Sequence, residues 1–389
     1  MIAAFDSRKL DSLMESAGID WVIATSNHNV SYLLGGYRYF FHRYSSAMGL
    51  SRYLPMVGYA RGSPDHAFYV ATHGEGSHLE LQPVWTPNIY TTPVTAASAA
   101  DAAATSIKGS GLRSGRIAIE PSFLPMEAAE LMAHAMPEAQ FVNGTSLLED
   151  LRAVKSPQEL DLLRTASEGI VDSILGVFES IRPGHSKDDI VAQFRREVVA
   201  RGLDFDYALV TVGRSLNRAP FGGKCEMGDL ISIDSGGRYN GYIGDLCRMA
   251  VLGTPTRAML EALDEVASVQ SAARSAVQPG ALGRAVYDAA LAQVAKCARH
   301  ARMRFVAHGM GLIAHEAPRL TAESVVPYPA THAGEHLKPG MVISVETHIS
   351  DPDIGFVKLE DMLIVTLNGS ESAGDRGRGW NRAGEKVAL

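Results

Sequence analysis

The strongest constraint on this chain is a pattern that it writes twice. From Ser156 to Val251 it reads helix, Pro-Gly, helix, strands, and from about 256 to 366 it reads so again. In the first copy, Ser156-Pro157-Gln158-Glu159 opens a helix. The serine hydroxyl can accept a backbone N–H, proline suits the first turn, and Glu159 completes a capping box. Leu160, Leu163, Ile170, Ile174, Phe178 and Ile181 recur at the spacing of one buried helix face, until Arg182-Pro183-Gly184 stops it. A second helix, capped by Ser186 with Asp189 three residues on, ends at Gly202. In the second copy, helices are expected over about 256–277 and 282–300, separated by Gln278-Pro279-Gly280. Strands follow each pair, at 206–212 and 229–251 and at 303–307 and 341–366. The matched order predicts an internal duplication with a pseudo-twofold axis between its halves.

At 389 residues the chain is too long for one ordinary core. A boundary is expected near Leu151–Lys155, giving an α/β domain over 1–150 and an α+β domain over 151–389. In the first, 20–24, 67–70 and 116–119 are short apolar runs closed by turn residues, suited to strands. Residues 96–106 and 124–135 read as helices. A net charge of −7 argues against nucleic acid as a partner, although Tyr37–Tyr44 interleaves aromatic and basic residues. No run approaches the ~18 apolar residues of a membrane helix. Cys225, Cys247 and Cys297 form neither a disulfide framework nor a zinc pattern, which fits a reducing compartment. The opening residues carry no secretory signal, so a cytoplasmic protein is expected.

The chemistry lies in the duplicated strands. Leu230-Ile231-Ser232-Ile233-Asp234 runs through a turn and returns as Ile243-Gly244-Asp245. The midpoint of Asp234 and Asp245 falls in that turn, so the two are expected as near cross-strand neighbours. Met341-Val342-Ile343-Ser344-Val345-Glu346 and Phe356-Val357-Lys358-Leu359-Glu360 repeat the arrangement about a midpoint at Asp353. Like charges facing one another in apolar hairpins destabilise them unless a cation sits between. His308, in Ala307-His308-Gly309-Met310-Gly311, adds a nitrogen donor. Singly, each acid could be a solvated strand end and His308 a hydrogen-bonded structural histidine. Together, four carboxylates and an imidazole suit divalent ions.

These residues resemble a known family, the creatinase, prolidase and aminopeptidase P group. Asp234 and Asp245, the run His308-Gly309-Met310-Gly311, His315, Glu346 after Pro339-Gly340-Met341-Val342, and Glu360 match its motifs in order and spacing. Leu148–Ser156 is similar to its interdomain linker. The resemblance implies a C-terminal pita-bread fold behind a creatinase-type N-terminal domain. It also implies two divalent ions (Mn, Co, Fe or Zn), with Asp245 and Glu360 bridging both. Asp234 would complete one shell, and His308 and Glu346 the other. An ion-held hydroxide would then attack a C–N bond, with Glu346 relaying the proton and His315 donating to the carbonyl oxygen. Short peptide or small-molecule substrates, an Xaa-Pro dipeptide first among them, and a homodimer are implied as well.

Three positions depart from the family pattern. Phe221 stands where a loop histidine is usual, Glu346-Thr347-His348 replaces Glu-Pro-Gly, and Lys358 replaces an arginine. His348 is a candidate for the lost donor, and Phe221 and Arg43 are candidates for contacting substrate. These departures keep open a hydrolase or lyase of a small non-peptide metabolite, like creatinase, ectoine hydrolase or DMSP lyase. A metal-free binding scaffold is the rival of another class.

Overall fold

The computed structural model describes residues 3–49, 51–111, 114–322 and 329–385, except for the side chains of Arg43 and Ser45. The chain divides into two compact units, Met1–Leu151 and Arg152–Leu389. Among the described residues, no helix is long and apolar enough to cross a membrane.

The first unit is built on a six-stranded mixed sheet. Its strand order is Asn88–Thr92, Ser63–Thr72, Met56–Ala60, Trp21–Ala24, Gly115–Ile119 and Ala139–Asn143. Trp21–Ala24 is buried at every position, because helices cover both faces of the sheet and each face builds its own apolar core. Helices Ala96–Gly109 and Met126–Ala135 stand where sequence periodicity placed them. The ladder also takes in Met56–Ala60, Asn88–Thr92 and Ala139–Asn143, which a search for isolated apolar runs passes over.

The second unit carries the duplication. One half packs helices Pro157–Ser180 and Lys187–Ala200 against strands Asp204–Val212, Leu230–Tyr239 and Tyr242–Val251. The other packs Arg257–Ala276 and Ala285–Val294 against Met303–Gly309, Val342–Asp351 and Gly355–Val365. The two triplets lie in the sheet in mirrored order and meet where Gly355–Val365 pairs with Tyr242–Val251, at Glu360 opposite Cys247. Each half therefore closes its own core and brings its hairpin to the shared seam.

The helix starts behave as their chemistry requires. Ser156 Oγ accepts from the Glu159 N–H at 3.3 Å, and Glu159 accepts from the Ser156 N–H at 2.8 Å. Ser186 and Asp189 repeat the device. The fourth helix is shorter than its periodicity suggests, at Ala285–Val294. Its expected first residues are drawn into extended pairing instead: Leu282 bridges His336, and the Gly283 N–H donates to Glu335 O at 2.9 Å. Only glycine fits at 283, since a Cβ there would lie 2.3 Å from His332 O.

Candidate active site

Both acidic hairpins deliver their side chains to one place, by slightly different registers. Glu346 pairs directly with Glu360, as a midpoint at Asp353 requires. Asp234 pairs with Cys247 and Asp245 with Gly236. The two aspartates are thus diagonal neighbours on one face, two residues out of the direct register expected from the sequence. The cause is the turn. Tyr239 pairs with Tyr242 around Asn240-Gly241, both at positive φ (47° and 93°), a two-residue turn whose centre lies one residue beyond the expected one. The empty face of Gly236, opposite Asp245, is filled by the Tyr207 ring: a Cβ on Gly236 would lie 2.6 Å from it. The Tyr207 hydroxyl faces Asp245.

Two ligand groups result. Asp245, His308 and Glu360 can each aim one donor atom so that all lie within 4.8 Å of one another, and so can Asp234, Glu346 and Glu360. Within them, His308 Nε2 stands 3.7 Å from Glu360 Oε1 and 4.0 Å from Glu346 Oε1, beyond hydrogen-bond range. Ser344 Oγ donates to Glu360 Oε1 at 2.8 Å.

The second group already contains a cation. Lys358 Nζ lies 2.6 Å from Asp234 Oδ2 and 2.9 Å from Glu360 Oε2, and it also pairs with Glu346 Oε2. Its side chain is 3% exposed. The Arg218 guanidinium meets Asp234 from the loop before the first hairpin. In a strand, residues two apart share a face. Lys358 and Glu360 therefore point the same way, a signal present in the sequence. Tyr207 and Arg218 carried no comparable signal, because pairing and loop path over many residues bring them in.

The first group has no such partner. Asp245 Oδ1 and His308 Nε2 are buried without a hydrogen-bond partner among the described residues. Burial, reinforced by the Glu360 and Asp234 charges, pushes the Asp245 carboxyl well above the ordinary carboxylate range. Burial also raises Asp234, to about 6, with Lys358 holding it back. At Glu360 burial is outweighed by the Lys358 ammonium and His308, which hold it well below its usual value. Two orphaned buried donors beside a carboxylate kept ionised are what a divalent cation would satisfy. The residues present fit one ion at Asp245, His308 and Glu360.

These groups open on a cavity of about 350 Å³. His315 and His348 line it, as do Leu209, Val306 and Ala314. His315 stacks on His308 with ring centroids 3.8 Å apart. Burial, then the His308 and Arg319 charges, lowers it to about 3. His348 packs against Phe356 with the rings tilted by 30°, and it is lowered to about 4 by burial, Lys358, Arg218 and Arg304. Both rings are neutral near pH 7 and can donate one hydrogen bond each. The loop carrying His315 is fixed by its neighbour. Glu316 is buried between Arg152 Nη2 at 3.0 Å and Lys155 Nζ at 3.1 Å, so Arg152 and Lys155 clamp the active-site loop.

Not every expected contact forms. Phe221 is 62% exposed and does not line the cavity; Arg218, three residues earlier, lines that side instead. Arg43 ends the helix Phe40–Arg43 of the first unit, and its side chain lies outside the described residues.

A duplicated sheet with carboxylates and imidazole converging at its seam defines a hydrolase of the pita-bread class. Residues 161–367 match metallopeptidase family M24 and residues 7–154 match the creatinase/prolidase N-terminal domain, and the chain belongs to that family of metallopeptidases. It is 25% identical to an uncharacterised peptidase of Bacillus subtilis (strain 168), over 94% of this chain and 96% of that one. It is 29% identical to the Xaa-Pro dipeptidase of Pyrococcus furiosus, over 60% of this chain and 66% of that one. The crystal structure of the prolidase from Pyrococcus horikoshii OT3 shares the fold, with a TM-score of 0.77, 23% identity, and coverage of 97% and 98%.

Proposed function

We propose that the protein is a metal-dependent hydrolase of a C–N bond, with an Xaa-Pro dipeptide or short peptide as its substrate. The observation that carries this reading is the pair of orphaned buried donors, Asp245 Oδ1, on a residue that lines the cavity, and His308 Nε2, whose ring lies beneath the cavity-lining His315. With Glu360 they would hold a divalent ion. That ion would act as a Lewis acid, polarising the scissile carbonyl and making water a better nucleophile. The remaining steps belong to this chain's own side chains. His315, neutral and held in place by the Glu316 clamp, donates a hydrogen bond to the carbonyl oxygen as negative charge develops on it. Glu346, 15% exposed at the edge of the cavity, takes a proton from the attacking water and passes it to the leaving nitrogen. Leu209, Val306 and Ala314 offer an apolar wall for a proline ring. Arg218 offers a fixed cation for a substrate carboxylate.

The relatives named Xaa-Pro dipeptidase support the peptide reading. A small non-peptide metabolite is the second reading, favoured by the Lys358 ammonium, which narrows the space beside Glu346. The resemblance implies a second ion, which the residues beside Lys358 do not support, and it is the source of manganese as the working metal, a homodimer and a cytoplasmic location. Three buried free cysteines agree with the last. A substrate screen of Mn-loaded enzyme tests the reading, comparing Gly-Pro-type dipeptides, longer Xaa-Pro peptides and small amides. Cleavage of the Xaa-Pro substrates is expected. Turnover of small amides alone would select the second reading.

A further inference from the structure

We propose that the Lys358 ammonium is a built-in substitute for the second metal ion, so that this active site takes one divalent ion fewer than its carboxylates could otherwise hold. The inference rests on the one-ion reading above for where the remaining ion binds. It goes further in assigning the other half of the site to a side chain.

The geometry is that of a filled cation site. Nζ has three N–H donors and meets three carboxylates, those of Asp234, Glu346 and Glu360, with 2.6 Å and 2.9 Å to the first and last. These are the same three residues whose oxygens form the second ligand group. A divalent ion bonded to those oxygens would sit at ~2.0–2.6 Å from each, which puts it on the point the nitrogen occupies. Both cannot be present. Lys358 also has little freedom to withdraw: its strand is buried throughout, and its side chain is 3% exposed. Swinging it out would strand a buried ammonium away from its counter-charges, which is costly.

Charge distribution leads to the same assignment. Lys358 pairs with the carboxylates of Asp234, Glu346 and Glu360, whereas on the far side Asp245 Oδ1 and His308 Nε2 are buried with no hydrogen-bond partner among the described residues. The lysine thus completes one half of the constellation and leaves the other half open. Since Glu360 contributes to both groups, the single ion and the ammonium would share it as a common counter-charge.

The test is metal stoichiometry. Metal-free protein is dialysed against Mn²⁺, bound equivalents are measured by elemental analysis, and the Mn²⁺ spin spectrum reports whether ions are paired. Wild type is expected to bind one equivalent with an uncoupled spectrum. Lys358→Met is expected to gain one equivalent and show the coupled spectrum of two neighbouring ions. Equal, non-zero stoichiometry in the two proteins overturns the proposal, as do two equivalents in wild type, and either result leaves the metallohydrolase reading intact; no metal in either protein overturns both. If wild type binds none while Lys358→Met gains one, the substitution stands and the one-ion reading falls. Should Lys358→Met fail to fold, Asp234→Asn decides. It keeps the lysine, so its equivalents should equal those of wild type, and the loss of one equivalent would show Asp234 to be a ligand.

Discussion

Replacing Glu316 with glutamine tests how the active-site loop is held. Glu316 lies 1% exposed between Arg152 and Lys155, 3.0 Å and 3.1 Å away. Burial alone would raise its pKa, but the two cations and their hydrogen bonds outweigh burial and lower it from 4.5 to about 2. At 1.36 kcal/mol per unit, that difference corresponds to stability on the order of 3 kcal/mol at pH 7. The sign follows from which state binds protons more tightly. The folded value is depressed, so the contribution is complete above the unfolded value near 4.5 and is lost as pH falls from there towards 2. Glu316→Gln removes the charge and nearly keeps the shape. Its Tm at pH 7 should fall by about 6–12 °C for a unit of this size. Denaturant unfolding measured from pH 7 down to pH 2.5 should show the gap between wild type and variant closing across that window. A gap that is unchanged at low pH, or smaller than about 1 kcal/mol at pH 7, would refute the clamp as the source of this stability.

Four further outcomes are expected. Asp245→Asn should abolish activity and leave the far-ultraviolet circular dichroism unchanged; retention of most of the rate would remove Asp245 from the catalytic set. His315→Ala should lower kcat by ~100-fold through loss of an oxyanion donor, and an unchanged rate would make His315 structural. Arg218→Ala should raise KM for dipeptides with a free carboxylate and leave KM for their C-terminal amides near wild type; equal effects on both would deny it that contact. Phe221→His should change kcat/KM for Xaa-Pro substrates less than about threefold, because an exposed ring outside the cavity lies away from the chemistry; a tenfold gain would bring the loop into the site.

Much of the catalytic unit could be read from local signals. Ser156-Pro157-Gln158-Glu159 fixes a helix start without help from the rest of the chain, and it forms as written. Glu346 and Glu360 could be paired by arithmetic, because the hairpin is symmetric about Asp353. The same arithmetic misplaced Asp234 and Asp245, because Asn240-Gly241 selects a two-residue turn and shifts the register. Strand alternation puts Lys358 on the face of Glu360, but nothing local in the sequence shows that its ammonium reaches Asp234 and Glu346 on two other strands. Tyr207 and Arg218 could not be found this way. Tyr207 reaches Asp245 only because Gly236, across the ladder, leaves room for its ring, a packing fact that no periodicity encodes. In the first unit, the exposed strand Asn88–Thr92 alternates weakly and gave no signal.

The most direct test is a crystal structure of the protein soaked in Mn²⁺, with anomalous scattering used to locate the ion. The account predicts a peak bonded to Asp245, to Glu360 and to His308 Nε2, with the Lys358 ammonium still seated among Asp234, Glu346 and Glu360. An absence of manganese at those three residues, in crystals that carry it elsewhere or not at all, would contradict it.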